Sequence, residues 1–186
     1  MRKQMEITSQ TRQNLIDAFW EIYCEKRIEK ISVKEITIKA GYNRGTFYEY
    51  FSDVYDVLEQ IENALIPSID TLPRFVLEKQ EIGMPIDMFL ELYGKHERYY
   101  IVLLGDNGDP SFQSKLKIAI KPLLKQTVES NGAVHEIEMD YVLEFILSGM
   151  LGIMSFWFKQ EKSLSPESLI KLIHDLMENG VVEKLS

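Results

Sequence analysis

The run Asn43-Arg44-Gly45-Thr46 carries the most specific chemistry in the chain. Asn43 has a side-chain oxygen that accepts from amides two or three residues on, and so starts a helix. Arg44 then falls in the first helical turn, with a planar fork of donors that matches guanine O6/N7 in a DNA major groove. The same helix end also suits a phosphate, through free amides and the positive end of the dipole, so base and backbone contact are both open to it. Gly45 lets a partner approach the backbone closely, and Thr46 adds a hydroxyl. Tyr48 and Tyr50 follow with phenolic hydroxyls, while Phe47 and Phe51, four apart, share an inward face. Lys34, ten residues before Arg44, supplies a second cation.

Catalytic and metal chemistry lacks its parts. His96, His135 and His174 are far apart in sequence, and no spacing of metal ligands occurs. There is no phosphate-binding glycine loop and no local Ser/His/Asp arrangement. The single cysteine, Cys24, ends the first predicted helix with no His or second Cys nearby, and reads as a small packed side chain. The acidic turn Gly105-Asp106-Asn107-Gly108-Asp109-Pro110 lacks the spacing and closing Glu of a calcium loop. Neither enzymatic activity nor a cofactor nor a metal is expected.

The elements that must hold the recognition residues follow from local signals. Ser32 and Glu35 form a capping box, S-x-x-E, at the start of a short helix. Val33, Ile36 and Ala40 are its expected inner face, with Lys34 and Lys39 outward. Gly41 supplies the positive φ that a helix end commonly needs. Asn43 opens the second helix, read as residues 44–50. Before this pair, Thr8 and Ser9 are expected caps of a helix running to about Lys26, with Leu15, Phe19 and Ile22 at helical spacing and Trp20 on or beside that face. After it, residues 53–66 form a linking helix with Val57, Leu58, Ile61 and Leu65 inward. Two short helices about a tight turn fit the helix-turn-helix layout, whose second helix enters the major groove, and by spacing alone also an ordinary helical hairpin with a solvated polar face.

Composition bounds the rest. The chain has 186 residues, 45% hydrophobic and 27% charged, with 6 prolines and no regular apolar/polar alternation, which predicts an all-α protein. One cysteine excludes an internal disulfide and suits a reducing cytoplasm. No basic segment followed by an apolar run opens the sequence, so no signal peptide is expected. The longest uncharged run, residues 145–158, is 14 residues, short for a bilayer and suited to a buried core helix. Net charge is −8, but residues 1–60 hold 9 Lys/Arg against 10 Asp/Glu and the remainder 12 against 19. DNA affinity must then come from local placement of Arg2, Lys3, Lys34, Lys39 and Arg44 rather than from a global positive field.

Residues 32–58 resemble the amino-terminal DNA-binding domain of the TetR family of bacterial transcriptional regulators. The matching residues are Ile36, Ala40-Gly41, Gly45-Thr46-Phe47-Tyr48, Tyr50-Phe51, Asp53 and Val57-Leu58. The resemblance implies DNA contacts at Lys34, Arg44, Gly45 and Thr46, with Tyr48 and Tyr50 where the family touches phosphate or a base. Two positions depart from the pattern. Thr37 replaces a small residue, and Val54 stands where a phosphate-pairing lysine is usual, a loss for which Lys39 or the Arg2-Lys3 arm would have to compensate.

The sequence beyond residue 65 reads as a ligand-binding and dimerisation body. Aromatic density between residues 75 and 104 suits a core or an apolar cavity with polar handles; Phe89, Tyr93, His96 and Tyr100 are the candidate ligand contacts, with Tyr99 a further handle. The helix read over 137–160 is apolar all round. Ile146, Met150, Ile153, Met154, Trp157 and Phe158 fall on one side, and Phe145, Ser148, Gly149, Gly152 and Phe156 on the other. Such a helix must be buried all round, and a second subunit is the natural cover. A final helix follows Ser165-Pro166-Glu167. The last two helices resemble the four-helix dimer interface of TetR-family proteins, and G-x-x-G-x-x-x-x-W followed by S-P-E-S-L resembles a carboxy-terminal domain found in some of them. Ser148, Gly149, Gly152, Phe156, Leu169 and Ile173 are the candidate dimer contacts.

The expectation is therefore a DNA-binding domain over 1–65 and a ligand-binding and dimerisation domain over 66–186. Together they would make a cytoplasmic homodimeric regulator of a double-stranded DNA operator, a repressor released by a small apolar or aromatic inducer, with no membrane role. The alternative is a helical adaptor or ligand-binding protein whose DNA binding is weak or lost.

Overall fold

A computed structural model of the protein describes residues 2–66, 86–105, 108–131, 136–160 and 162–185. Every regular element among them is helical. The chain divides into two compact units, Met1–Leu65 and Ile66–Ser186.

The first unit contains α1 (Arg2–Tyr23), a 3-10 turn (Ile28–Lys30), α2 (Val33–Ala40), α3 (Arg44–Tyr48) and α4 (Val54–Leu65). The expected start of α1 at Thr8 or Ser9 is corrected: both lie inside the helix and are exposed. Residues 2–6 contain no Gly or Pro and are strong helix formers, so nothing stops the helix from beginning earlier. Leu15, Phe19, Trp20 and Ile22 line its buried face. Cys24 is exposed rather than packed, because it falls just past the last helical residue.

α2 is fixed at both ends. Ser32 Oγ accepts from the Glu35 amide, and the Glu35 carboxylate accepts from the Ser32 amide at 3.0 Å. At the other end Gly41 adopts φ 75°. Its amide donates to the Ile38 carbonyl and the Tyr42 amide to the Thr37 carbonyl, the paired bonds of a Schellman ending. The inner face differs from expectation: Ile36 and Thr37 are buried, while Val33 and Ala40 are half-buried. The Thr37 hydroxyl escapes a desolvation penalty by donating to the Lys34 carbonyl at 3.1 Å.

α3 is shorter than the expected 44–50, and Phe47 within it is buried against Phe51, ring centroids 5.4 Å apart. α4 starts at Val54, where Asp53 Oδ1 accepts from the amides of Tyr55 (2.8 Å) and Asp56 (2.9 Å). Val57, Leu58, Ile61 and Leu65 are buried, and so is the carboxylate-bearing Glu62, which periodicity alone does not foresee.

The second unit contains α5 (Ile86–Leu103), α6 (Pro110–Asn131), α7 (Glu136–Lys159) and α8 (Pro166–Leu185). Pro110 and Pro166 occupy first helical positions, where a missing amide is tolerated. Asp109 and Ser165 cap the two helices through the amides of Ser111 and Ser168. α5 is kinked at His96 (φ −129°, ψ 18°). α6 and α7 lie side by side, joined by Lys121–Asp140 at 2.8 Å and by Lys117 to both Glu144 and Ser148. The Trp157 indole N–H donates to the Leu164 carbonyl at 2.8 Å and so ties the turn into α8.

Candidate nucleic-acid interface

The recognition residues occupy two helix starts in the first unit. Lys34 is in the first turn of α2; Arg44 and Gly45 open α3, and all three are exposed. Tyr48 is 58% exposed, set edge-on to the buried Phe47 ring, whereas Thr46 and Tyr50 are half-buried. Tyr50 turns its ring toward Phe51.

Asn43 is committed to capping. Its Oδ1 accepts from the Thr46 amide at 2.9 Å and lies 3.4 Å from the Thr46 hydroxyl. A Cβ at Gly45 would come within 3.0 Å of that oxygen, so glycine serves the cap as well as any approaching partner. With that amide occupied and a helix of five residues, little dipole is left to hold a phosphate. The geometry therefore favours side-chain contact, through Arg44 above all.

Charge pairing sorts the cations in a way that sequence cannot. Lys39 bonds Glu21 at 2.7 Å, which holds its ammonium above the ordinary 10.5. It is thus tied to α1 by an exposed pair, which it would have to leave to stand in for a missing cation. Lys26 bonds Glu35, and Arg12 bonds Gln60 with its guanidinium 5.6 Å over the Phe51 ring. Arg27 is paired loosely with Glu29 at 3.6 Å. Among the described side chains of this unit, Lys30, Lys34 and Arg44 are the exposed cations without a carboxylate partner; Arg12 also lacks one, but it is half-buried and held by Gln60 and the Phe51 ring. Lys30 was not singled out by its sequence context; it projects from the 3-10 turn just ahead of α2, and it is exposed. Arg2 and Lys3 have side chains outside the described residues.

Val54 is 8% exposed, a core residue rather than a surface position lacking its lysine. The start of α4 is filled by its own carboxylates. Asp56 accepts from the Ser52 amide at 2.7 Å, the main reason its carboxyl is held below the ordinary 3.8. Glu35 is likewise held below 4.5, first by Lys26 and then by Ser32. Both folded values are lowered, so these caps stabilise the unit above the ordinary carboxylate range and are lost as pH falls through the lowered values. Melting of the first unit is expected to shift downward between about pH 6 and about pH 3, and Glu35→Gln should flatten that profile. An unchanged slope in circular dichroism melts would reject the capping account.

In the second unit, His96 sits at the α5 kink, half-buried, its pKa lowered by burial and then by Lys95 and Arg98. Tyr100 is buried, its hydroxyl pushed up to about 12 by that burial, with its ring 6.3 Å from Phe112. The side chains of Phe89 and Tyr93 lie outside the described residues. Of the candidate dimer contacts, Ser148, Gly149, Gly152 and Phe156 are on the exposed side of α7, whereas Leu169 and Ile173 are buried within the chain. Tyr141 and Phe145, 77% and 78% exposed, extend that exposed side toward the helix start.

Residues 84–179, just over half of the chain, match the TetR-type family model described as a transcriptional regulator C-terminal region. The chain is a TetR-family transcriptional regulator. An HTH-type transcriptional regulator of Bacillus subtilis (strain 168), YvdT, is 40% identical over 62 residues. That match covers 33% of this chain and 28% of YvdT. Solved structures share the TetR-family fold at lower identity. A TetR transcriptional regulator from Streptococcus agalactiae 2603V is 17% identical with a TM-score of 0.67, covering 95% of this chain and 98% of that one. The fatty acid degradation regulator FadR from Bacillus halodurans is 18% identical with a TM-score of 0.61, over 92% and 96% of the two chains. The dihydroxyacetone kinase operon activator DhaS is 19% identical with a TM-score of 0.57, over 93% and 97%. By length and composition Glu138–Lys159 in α7 is also able to cross a membrane, a test that the core helix of a soluble protein passes as well.

Proposed function

We propose that the protein is a cytoplasmic homodimer that reads a near-palindromic operator with two copies of α3, represses transcription, and is released by a small apolar or aromatic ligand. The observation that carries this reading is that one chain holds one reader, with Lys34 and Arg44 exposed, and one uncovered aromatic side of α7. A second copy covers the second and doubles the first. Half-sites would then lie about 34 Å apart, one helical turn, or a multiple of it. Lys34, Arg44, Gly45, Thr46, Tyr48 and Tyr50 contact DNA, with Asn43 shaping the start of α3. Phe89, Tyr93, His96 and Tyr100 are assigned to the ligand, which acts by binding better to a conformation whose heads are wrongly spaced.

Selection of genomic fragments on the purified protein tests the reading, and an enriched palindrome is expected. No enrichment at low salt would leave the adaptor reading in its place. DhaS is named as an operon activator, which makes activation the second reading of the outcome on DNA. Deleting the gene should raise transcript from the bound promoter under repression and lower it under activation.

The sorted cations set the salt dependence. With Lys30 and Lys34 on phosphates and Arg44 on a base, about two phosphates per head and about four per dimer give a log–log slope of about −4, and Lys34→Ala should reduce its magnitude by about 2 per dimer. Binding titrations from low to physiological salt measure this. A slope unmoved by the substitution would remove Lys34 from the interface.

A further inference from the structure

We propose that two copies of α7 cross antiparallel at Gly149 and Gly152, with Phe145 of each chain seated against the partner's Phe156. The inference rests on the homodimer reading and gives it a register.

Gly149 and Gly152 have no purpose inside one chain. A Cβ built on either meets nothing within 4 Å, and neither has a positive φ that would call for glycine. Glycine is the poorest helix former after proline, so two within four residues weaken α7 for no gain that the single chain provides. A second backbone pressed onto that side is what a missing Cβ accommodates, allowing helix axes to come nearer than the usual 8–10 Å or so.

The pattern around the glycines is self-complementary. Phe145 lies four residues before Gly149, and Phe156 four after Gly152. All four fall within one narrow sector of the helix at about 100° per residue, and all are exposed, Phe145 by 78% and Phe156 by 63%. A two-fold axis through the glycine pair therefore sets each Phe145 opposite the partner's Phe156 and each Gly149 opposite the partner's Gly152, as an isologous contact requires. A parallel copy would face aromatic against aromatic only by placing identical residues in register.

Charge gives the same direction. The exposed side carries Glu138 near its beginning and Lys159 at its end. Only an antiparallel copy brings opposite charges together at both ends. Along one edge, Lys117, Glu144 and Ser148 are already bonded to one another and form a polar rim beside the aromatic strip. That is the arrangement of an apolar centre with a polar border.

Cysteine cross-linking tests the register in the full chain, with the exposed Cys24 changed by Cys24→Ser. Phe145→Cys combined with Phe156→Cys should give a disulfide-linked dimer on mild oxidation. Each single variant should not, because two copies of either position lie about 16 Å apart along the axis. In parallel, Gly149→Leu with Gly152→Leu should weaken self-association at least about tenfold, while Gly149→Ala with Gly152→Ala should raise the melting temperature of dilute, dissociated protein by about 5 °C. A dimer in sedimentation that fails to cross-link in the double variant overturns the register and leaves the homodimer standing. A monomer at micromolar concentration overturns both.

Discussion

Arg44→Ala is expected to lower operator affinity by at least roughly 30-fold while leaving the fold and the self-association of the chain intact. The expectation follows from what the structure removes as well as from what it shows. The Thr46 amide at the start of α3 is taken by Asn43 at 2.9 Å, and Lys39, Lys26 and Arg12 are engaged with Glu21, Glu35 and Gln60. Arg44 is exposed at the first position of α3 with no carboxylate to neutralise it. A bidentate base contact contributes about 1–3 kcal/mol of discrimination, and a dimer makes the contact twice. The loss should be selective: a fragment with one guanine replaced at the matching position in each half-site should bind the variant and the parent protein almost alike. Fluorescence anisotropy on matched and mismatched duplexes reads this. A uniform loss on all sequences would make Arg44 a phosphate contact, and no loss would move the reader elsewhere.

Local signals made the head legible because its defining features are short-range. Ser32 and Glu35 are three residues apart, Gly41 ends α2 by its own φ, and Asn43 caps α3 within three residues. Phe47 and Phe51 needed only helical spacing to be placed in the core. The charge state of the surface was not legible, since its pairs span elements. Lys39 meets Glu21 from another helix, and Lys26 reaches Glu35 across the 3-10 turn. In sequence all these lysines look alike, whereas in the fold some are spent on holding helices together. Val54 shows the same limit from the other side. As a departure from the TetR-family pattern it reads as a lost phosphate contact, but its side chain is in the core and Asp53 has taken the helix start.

α7 was half legible. An all-round apolar composition announces two covered sides but does not say which side the chain itself covers. Tertiary packing decides that: Leu143, Leu147, Met150, Met154 and Trp157 are buried, while Tyr141, Phe145 and Phe156 are not. Leu169 and Ile173 on α8 look equally available in sequence, but their burial is already complete within the chain.

Phe47→Ala should have the largest effect on stability, and it separates a broken reader from an absent one. Phe47 is fully buried, with ring neighbours Phe51 at 5.4 Å and Tyr48 at 5.5 Å. Truncating a buried Phe costs about 3–5 kcal/mol, comparable with all that a core of fewer than about 70 residues supplies. The first unit should therefore unfold near room temperature while the second keeps its structure. The two tryptophans make this observable, since Trp20 is buried in the first unit and Trp157 in the second. In a Trp157→Phe background the Phe47→Ala emission should shift red at 25 °C; in a Trp20→Phe background it should not. Sedimentation should report an unchanged assembly, and operator binding should vanish rather than weaken. A single cooperative transition displaced by only a few degrees, with DNA binding retained, would mean that the second unit stabilises the first far beyond what its own core provides.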